Sequence, residues 1–532
     1  MRPHNQLWTS SACGSQRSLA VRLAVCVVVT FLSGCQLPCL REPAPGPVLP
    51  DDFNGKSSVE NSADVGIEQF FNDAALTQLI VEGLTQNQEL RIRNQEIEIA
   101  SNEIMARRGA YLPFVEVGGG GGFEKTSRFT PLGAAEDQLT IPGGGRFSDP
   151  LGNTGLGAKL FWRVDIWGQL RSARDAAQQR YYEAIEARDY LVTRLVADTA
   201  ENYYELAALD KRLEFLNQTI EIQKKSLEVA KAQKEAARGT ELGVQRFLAE
   251  VRKNESQRLI VNQKIIEVEN RINFLVGRYP QAVDRESWDF IQLDSNVLSV
   301  GVPAQLLQNR RDIQAAEREL TAAGLDVMVA RAEFYPQLNI TAGVGFEAFN
   351  PKYLFDPEAF VANAAGELVA PLINRAAIRA EYLNANARQL QAVYEYQRTV
   401  LTAFTEVVNR TTAAENYRKS VEIKQEQVAA LEESVRVATD LFQNARAEYV
   451  DVLFSQRDLL EARIDLIGTK QQQLAAIVNA YQALGGGYLS LDSVGGYADP
   501  YCPPTELAIQ PVYLPPAPAE PVPEAEPETE SL

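Results

Sequence analysis

Two hydrophobic periods alternate along this chain. From Gln337 to Glu347 the apolar residues Leu338, Ile340, Ala342, Val344 and Phe346 interleave with Asn339, Thr341, Gly343 and Gly345. A period of two puts every apolar side chain on one face of a strand. The same alternation sets Leu156, Ala158, Leu160, Trp162, Val164 and Ile166 against Gly155, Gly157, Lys159, Arg163 and Asp165, with Phe161 the exception on the polar face. Val115, Val117 and Phe123 oppose Glu116 and Glu124 in an earlier strand, and Leu368, Ala370 and Leu372 oppose Glu367 and Val369 in a weaker fourth.

Elsewhere the period lengthens. No Gly or Pro interrupts Gln169 to Arg238 or Leu372 to Ile467. Leu206, Leu209, Leu213, Leu216, Ile220, Leu227 and Ala230 step by three and four, with Gln223 filling one slot, and Val421, Val428, Leu431, Val435, Ala438 and Phe442 follow suit. Such seams predict coiled coils rather than a compact core. A helix over 170–237 would reach roughly 100 Å. Shorter helices are predicted over about 73–111, 242–276, 303–335 and 450–484; stacked in pairs, they match the long ones in length.

The pattern is written twice. Pro113 and Pro336 are 223 positions apart (336 − 113), as are Phe123 and Phe346. Further on, Leu170 and Ile378, Ala237 and Ala445, and Gly277 and Gly485 are 208 apart (485 − 277). The difference falls between Glu124 and Leu170, so the loop between the first two strands absorbed the change in length, as a solvent-exposed hairpin tip can.

The ends change the picture further. Arg17 and Arg22 precede the apolar run Leu23 to Leu32, and Leu32-Ser33-Gly34-Cys35 follows. This order predicts a secretory signal, too short for a permanent membrane span. Leu-Ser-Gly-Cys resembles the bacterial lipobox, which implies that Cys35 becomes the lipidated first residue and that the protein is sorted to the outer membrane. Cleavage there would remove His4, the single histidine, and with it imidazole-based acid–base or metal chemistry. No catalytic residue, metal site or cofactor is expected, and the chain does not read as an enzyme. Cys39 and Cys502 would be the remaining thiols, able to pair in an oxidising periplasm. A net charge of −18 argues against a nucleic-acid partner.

The expected layout is a signal peptide over 1–34, a lipid-anchored tether over 35–64, a first repeat over 65–280 with its hairpin at 112–167, a linker over 281–302, a second repeat over 303–490 with its hairpin at 336–372, and a disordered Pro- and Glu-rich tail over 491–532.

A one-sided strand has an ordinary reading, a half-buried sheet against a helix. Four such strands of about 10 to 13 residues, each with glycine and charge opposite the apolar face, suit tilted strands crossing the hydrocarbon layer. Leu160, Trp162, Val164, Leu338, Ile340, Val344 and Phe346 would then face lipid. Four strands cannot close a barrel, and an open edge in lipid leaves backbone groups unpaired. The chain must oligomerise, and geometry alone allows two copies or three.

Gly301-Val302-Pro303-Ala304-Gln305-Leu306-Leu307, continuing through Arg311-Asp312-Ile313 to Glu317, resembles the signature of TolC-like outer-membrane efflux lipoproteins. Asp165-Ile166-Trp167-Gly168-Gln169-Leu170-Arg171 and Ala483-Leu484-Gly485-Gly486-Gly487-Tyr488 resemble two further segments of that family. Arg311 stands where the family usually has Pro, and Tyr488 where Trp is common. The resemblance, over roughly residues 65–490, implies a mostly α, tandem-duplicated TolC-like fold: three chains, a 12-stranded membrane β-barrel and a coiled-coil helical tunnel. It implies as partners a periplasmic adaptor (membrane fusion protein) and an inner-membrane RND transporter, for which the homotrimer is a passive duct. It places adaptor docking at the helix turns of Gly239, Thr240, Ala445 and Arg446, although the second turn lacks the usual Gly. Val450-Asp451-Val452-Leu453 resembles the family's aperture element, with Phe454 where relatives often carry a second acid. Asp451 is then either an acidic ring narrowing the periplasmic mouth or a solvated carboxylate at a helix start. An outer-membrane duct for type I polypeptide secretion would share this architecture, whereas a periplasmic adaptor would lack the strands.

Overall fold

The structure, a computed structural model, describes residues 37–487 except 142–143, 238, 286–289, 294–297, 372, 374 and 445. The order helix, strand, strand, long helix, helix occurs twice. The first copy comprises α1 (Ala74–Gln86), α2 (Gln88–Ala110), β1 (Phe114–Glu124), β2 (Leu151–Val164), α3 (Gln169–Glu235) and α4 (Glu241–Val276). The second comprises α5 (Arg311–Ala332), β3 (Gln337–Ala348), β4 (Phe360–Val369), α6 (Ala376–Gln443) and α7 (Tyr449–Ala483). The long helices α3 and α6 have 67 and 68 residues, or about 100 Å each.

The short helices line the long ones. α1, α2 and α4 pack along α3, while α5 and α7 lie between α3 and α6, touching both. Two glycines make the stacks possible. Gly277 ends α4 at φ 86°, and a Cβ there would stand 2.5 Å from the carbonyl oxygen of Gln86, at the α1–α2 break. Asn87 caps α2 and reaches the Leu275 carbonyl at 2.8 Å. In the second copy Gly485, at φ 96°, stands over the Asn309 carbonyl, and the buried Arg310 reaches the Ala483 carbonyl at 3.2 Å. Arg310 also pairs with Asp312 and Glu406. Burial opposes its charge, yet the two carboxylates hold its pKa above the usual arginine value.

Along α3 the seam buries Leu206, Leu209, Leu216, Ile220, Leu227 and Ala230, while Leu213 is half-buried. Gln223 keeps its place in the seam by accepting a 2.8 Å hydrogen bond from buried Asn254 of α4. A buried amide without a partner would be costly. The second seam is shallower: Val421 and Ala438 are buried, but Val428, Leu431, Val435 and Phe442 are half-exposed.

Three expectations change in detail. The helix predicted over 73–111 is broken at Asn87, whose side chain accepts from the Leu90 N–H and starts a new helix. The one predicted over 303–335 begins as a 3-10 turn at Pro303–Gln305 and a short helix Leu306–Asn309 before α5. The fourth strand lies earlier than its apolar pattern suggested: β4 ends at Val369, leaving Ala370 outside it, because Pro371 has no N–H for a ladder.

Residues 37–64 form a seated strap rather than a free spacer. Leu37 and Leu40 pack on Val327, Phe334 and Tyr382. Phe53 is 1% exposed and stacks on Phe404 of α6 at 5.4 Å. Asn61 then bridges Val300 of the linker. Cys39 is exposed on this strap; Cys35, Cys502 and Tyr488 lie outside the described residues.

Candidate functional site

The four strands form one antiparallel sheet in the order β1-β2-β3-β4. Its register decides which side chains share a face. Trp162 is opposite Ile340, Val164 opposite Leu338, Leu160 opposite Ala342, Leu156 opposite Phe346, and Ala158 opposite Val344. Val115 and Val117 join this face through Leu160 and Ala158, and Phe360, Ala362, Ala364 and Leu368 through β3. Leu160, Trp162, Val164, Leu338, Ile340, Val344 and Phe346 therefore lie on one continuous apolar surface. The sheet leaves Val344 54% and Leu368 65% exposed. Glu116 faces Lys159 on the opposite side, where Asn339 stands between Arg163 and Glu367. Gly157 and Gly345 are required by close approach: a Cβ at either would come within 3.0 Å of the neighbouring strand's carbonyl oxygen, at 2.7 and 2.5 Å. Among the described residues, β1 and β4 each pair on one side only. Among the described residues no helix is long and apolar enough to cross a membrane.

Aromatic side chains gather where sheet becomes helix. Trp162 donates to the Tyr111 carbonyl at 3.1 Å, and Trp167 to the Pro336 carbonyl at 2.7 Å while stacking on Tyr335. Between them the chain turns sharply into α3. Gly168 takes φ 72°, and the Asp165 carboxylate accepts from the N–H groups of Leu170 at 3.1 Å and Arg171 at 3.0 Å. The Arg171 guanidinium adds a 3.1 Å pair. Burial opposes ionisation, but these bonds prevail and hold Asp165 below the ordinary carboxylate value. The strand-to-helix motif read in the sequence is thus a capped corner, though the cap itself was not anticipated.

At the opposite end of α3 the chain turns into α4. Ala237 takes the left-handed conformation, at φ 58°. Gly239 instead permits close packing, since a Cβ would lie 3.1 Å from the Lys234 nitrogen. Thr240 caps α4 through the Gly243 N–H, and Lys234 pairs with Glu241 across the turn. In the second turn the Arg446 N–H bonds the Leu441 carbonyl at 2.8 Å; Ala445 lies outside the described residues.

The start of α7 meets the first coiled coil at this level. Leu453 is buried with Leu227, Ala230, Val244 and Phe247. Its neighbours Asp451 and Phe454 are exposed. Asp451 also closes a capping box, accepting from the Glu448 N–H at 3.2 Å while its own N–H bonds the Glu448 carbonyl at 3.1 Å. Phe454 lies under the Arg457 guanidinium at 5.0 Å. The structure brings the aperture candidates and the first turn together, and separates both from the sheet by the length of α3.

The signature motif around Pro303 is structural. Gly301 and Ser58 exchange backbone and side-chain bonds, Gln305 accepts from the Val302 N–H, and Arg311 occupies the first position of α5, where it pairs with Glu186 of α3. That position tolerates Pro for want of an intrahelical partner, which explains the exchange.

The profile of the family described as outer membrane efflux protein matches residues 79–278 and 302–486. The chain is 26% identical to the probable efflux pump outer membrane protein TtgC of Pseudomonas putida, over 88% of this chain and 95% of that one. It is 25% identical to the cation efflux system protein CusC of Escherichia coli, over 88% and 98%. The solved structure of the Neisseria gonorrhoeae MtrE outer membrane channel superimposes with a TM-score of 0.75 at 22% identity, covering 86% of this chain and 99% of that one. With its duplicated helix–hairpin–helix order and its motifs in place at the corners, this chain belongs to the outer membrane efflux protein family.

Proposed function

We propose that three copies of this chain join their sheets, β4 of one to β1 of the next, into a 12-stranded barrel in the outer membrane. The α3 and α6 helices continue this barrel as a tunnel through the periplasm. The observation that carries this reading is the sheet itself: one face is a continuous apolar band on which Trp162, Val344 and Leu368 are exposed, and among the described residues neither edge strand has an outer partner. In lipid the face needs no cover, but the edges must be closed. Twelve strands leave room for an aqueous lumen lined by Glu116, Lys159, Arg163, Asn339 and Glu367.

In this reading the trimer is the passive outer-membrane channel of a tripartite efflux system. A periplasmic adaptor docks at the turns containing Gly239, Thr240, Ala445 and Arg446, and an inner-membrane RND transporter supplies small molecules. Asp451 and Phe454 narrow the periplasmic mouth, the helix α7 moves outward to open it, and Cys35 carries a lipid. TtgC and CusC are named for efflux, which favours small-molecule cargo over polypeptide export. Two measurements test the proposal: heat-modifiable migration of an outer-membrane trimer, and accumulation of small toxic solutes in a deletion strain. A water-soluble monomer, or a deletion strain defective only in secreting a polypeptide, would overturn it.

A further inference from the structure

The end of the sheet remote from the long helices holds a cavity. β1 ends and β2 begins there, β3 ends and β4 begins, and the β3–β4 connection folds into two 3-10 turns, Pro351–Tyr353 and Pro357–Ala359. Each turn starts at a proline and is capped: Asn350 accepts from the Lys352 N–H at 3.1 Å, and Asp356 from the Glu358 N–H at 3.0 Å. Where this connection meets β2, a Cβ on Gly152 would stand 2.6 Å from the Phe349 carbonyl oxygen, so glycine lets the two segments close up. The connection and the strand ends bound about 660 Å³, within the roughly 300–1,000 Å³ of ligand pockets.

The cavity lies on the polar face. Glu124, Asn153 and Glu347 are an even number of positions from Glu116, Lys159 and Asn339, and so project from the same side of the sheet. Asn153 donates to Glu347 at 2.8 Å and orients its carboxylate. Asp356 and Glu358 add two more acids from the connection. Among the described residues none of these four carboxylates pairs with a Lys or Arg. A concave site lined by one sign of charge concentrates the opposite ion. The remaining wall is apolar and aromatic, from Leu151, Phe349 and Tyr353. The Phe349 and Tyr353 rings are 5.3 Å apart, and Phe147 of the β1–β2 connection meets Phe349 edge-on at 5.0 Å. The Tyr353 ring already takes one cation, the Lys352 ammonium 4.4 Å from its centre.

The geometry separates two kinds of cation. Among the described residues no three acidic side chains converge closely enough to hold a metal ion. A bare metal cation would keep its water there and gain nothing from the aromatic wall. A cation with an apolar body gains from both, because its rings or alkyl groups are covered by Leu151, Phe349 and Tyr353 while its charge faces the acids. We infer that this cavity is a binding site for amphiphilic organic cations, such as aromatic ammonium or phosphonium compounds, at the outer mouth of the lumen. Its place in a lumen rests on the proposed barrel; its walls do not, since a single chain supplies all of them.

Ethidium, a fluorescent aromatic cation, is titrated with the full-length protein purified in dodecyl maltoside; anisotropy reads binding and light scattering reads the oligomer. Saturable binding of one ethidium per chain is expected, displaced by tetraphenylphosphonium but not by the same concentration of Mg²⁺. Glu124→Gln combined with Glu347→Gln should weaken it about tenfold. Tyr353→Ala should weaken it about fivefold, and Tyr353→Phe should bind like the wild type. Glu98→Gln combined with Glu103→Gln, which removes two exposed charges from α2, should leave binding unchanged. Binding that does not saturate, equal binding of the anion fluorescein, equal displacement by Mg²⁺, or a Glu124/Glu347 variant that binds like the wild type would overturn the inference. The two readings fail separately: a water-soluble monomer that binds ethidium with these responses fails the barrel alone, and a membrane trimer that does not bind it fails the cavity.

Discussion

Gly277 and Gly485 close the two helix stacks in the same way. Each takes a left-handed φ, 86° and 96°, and each stands where a Cβ would meet a carbonyl oxygen of the partner helix break, at 2.5 and 2.7 Å. The carbonyls belong to Gln86 and Asn309, which are 223 positions apart (309 − 86), while the glycines are 208 apart. Both offsets of the duplication thus meet at one kind of contact.

Alanine at either glycine should therefore be worse than the left-handed conformation alone implies. That conformation costs an L-residue about 1–2 kcal/mol. Gly168 supplies the control, since it has φ 72° but no atom within 4 Å of a built Cβ. Thermal denaturation should show Gly277→Ala and Gly485→Ala losing clearly more than Gly168→Ala. Equal losses would mean that the stacks adjust around the added methyl.

Asp165 gives the strand-to-helix corner a pH dependence. Its folded pKa lies below the ordinary 3.8, so its contribution is present above that value and is lost as pH falls through the folded pKa. Asp165→Asn leaves one amide oxygen where two carboxylate oxygens accept from Leu170 and Arg171, so it should lower stability at neutral pH by about 1.5–3 kcal/mol, the range for a hydrogen bond to a charged group. The gap to the wild type should shrink in acid well below 3.8. Melting curves at both pH values test this, and a gap that is constant with pH would assign the effect to shape rather than charge.

The amide pair inside the first coiled coil predicts non-additivity. Asn254→Leu leaves the Gln223 side chain buried without its 2.8 Å partner, at a cost of about 1–3 kcal/mol. Replacing both residues by Leu removes the orphan, so the double variant should recover much of that loss. Denaturant titrations of all three variants measure the coupling; purely additive losses would refute it.

The two faces of the sheet should respond oppositely to charge. Val344 lies mid-strand on the apolar face and Thr341 on the polar one. Arginine facing lipid near the bilayer midplane costs about 2–4 kcal/mol. Val344→Arg should reduce the yield of outer-membrane trimer, and Thr341→Arg should spare it while altering conductance. The reverse pattern would turn the barrel inside out.

The strands and long helices were legible because each repeats one simple period, and the duplication let a weak copy borrow from a strong one. Register was half-legible: alternation fixed the faces of β3, but the ends of β4 depended on Pro371, which the apolar pattern does not register. The left-handed residue of the first turn was not legible, because Ala237 carries no signal for that conformation, while the nearby Gly239 is used for space. The strap was illegible for another reason. Its Pro-rich composition reads as a linker, and its partners Asn386, Tyr394, Gln397 and Phe404 are more than 340 positions away.

Asp451 holds two roles that different substitutions separate. Its carboxylate accepts from the Glu448 N–H, a bond that an amide oxygen can also accept, and it carries a charge that an amide lacks. Asp451→Asn should thus preserve the melting temperature yet weaken cation preference and raise closed-state conductance of the trimer in a planar bilayer, because three carboxylates around an axis favour cations. Asp451→Ala should do the same and also lose about 0.5–2 kcal/mol of stability with the cap. If the Asn variant conducts like the wild type while only the Ala variant melts early, Asp451 is a helix cap, and the constriction must be sought at Phe454 instead.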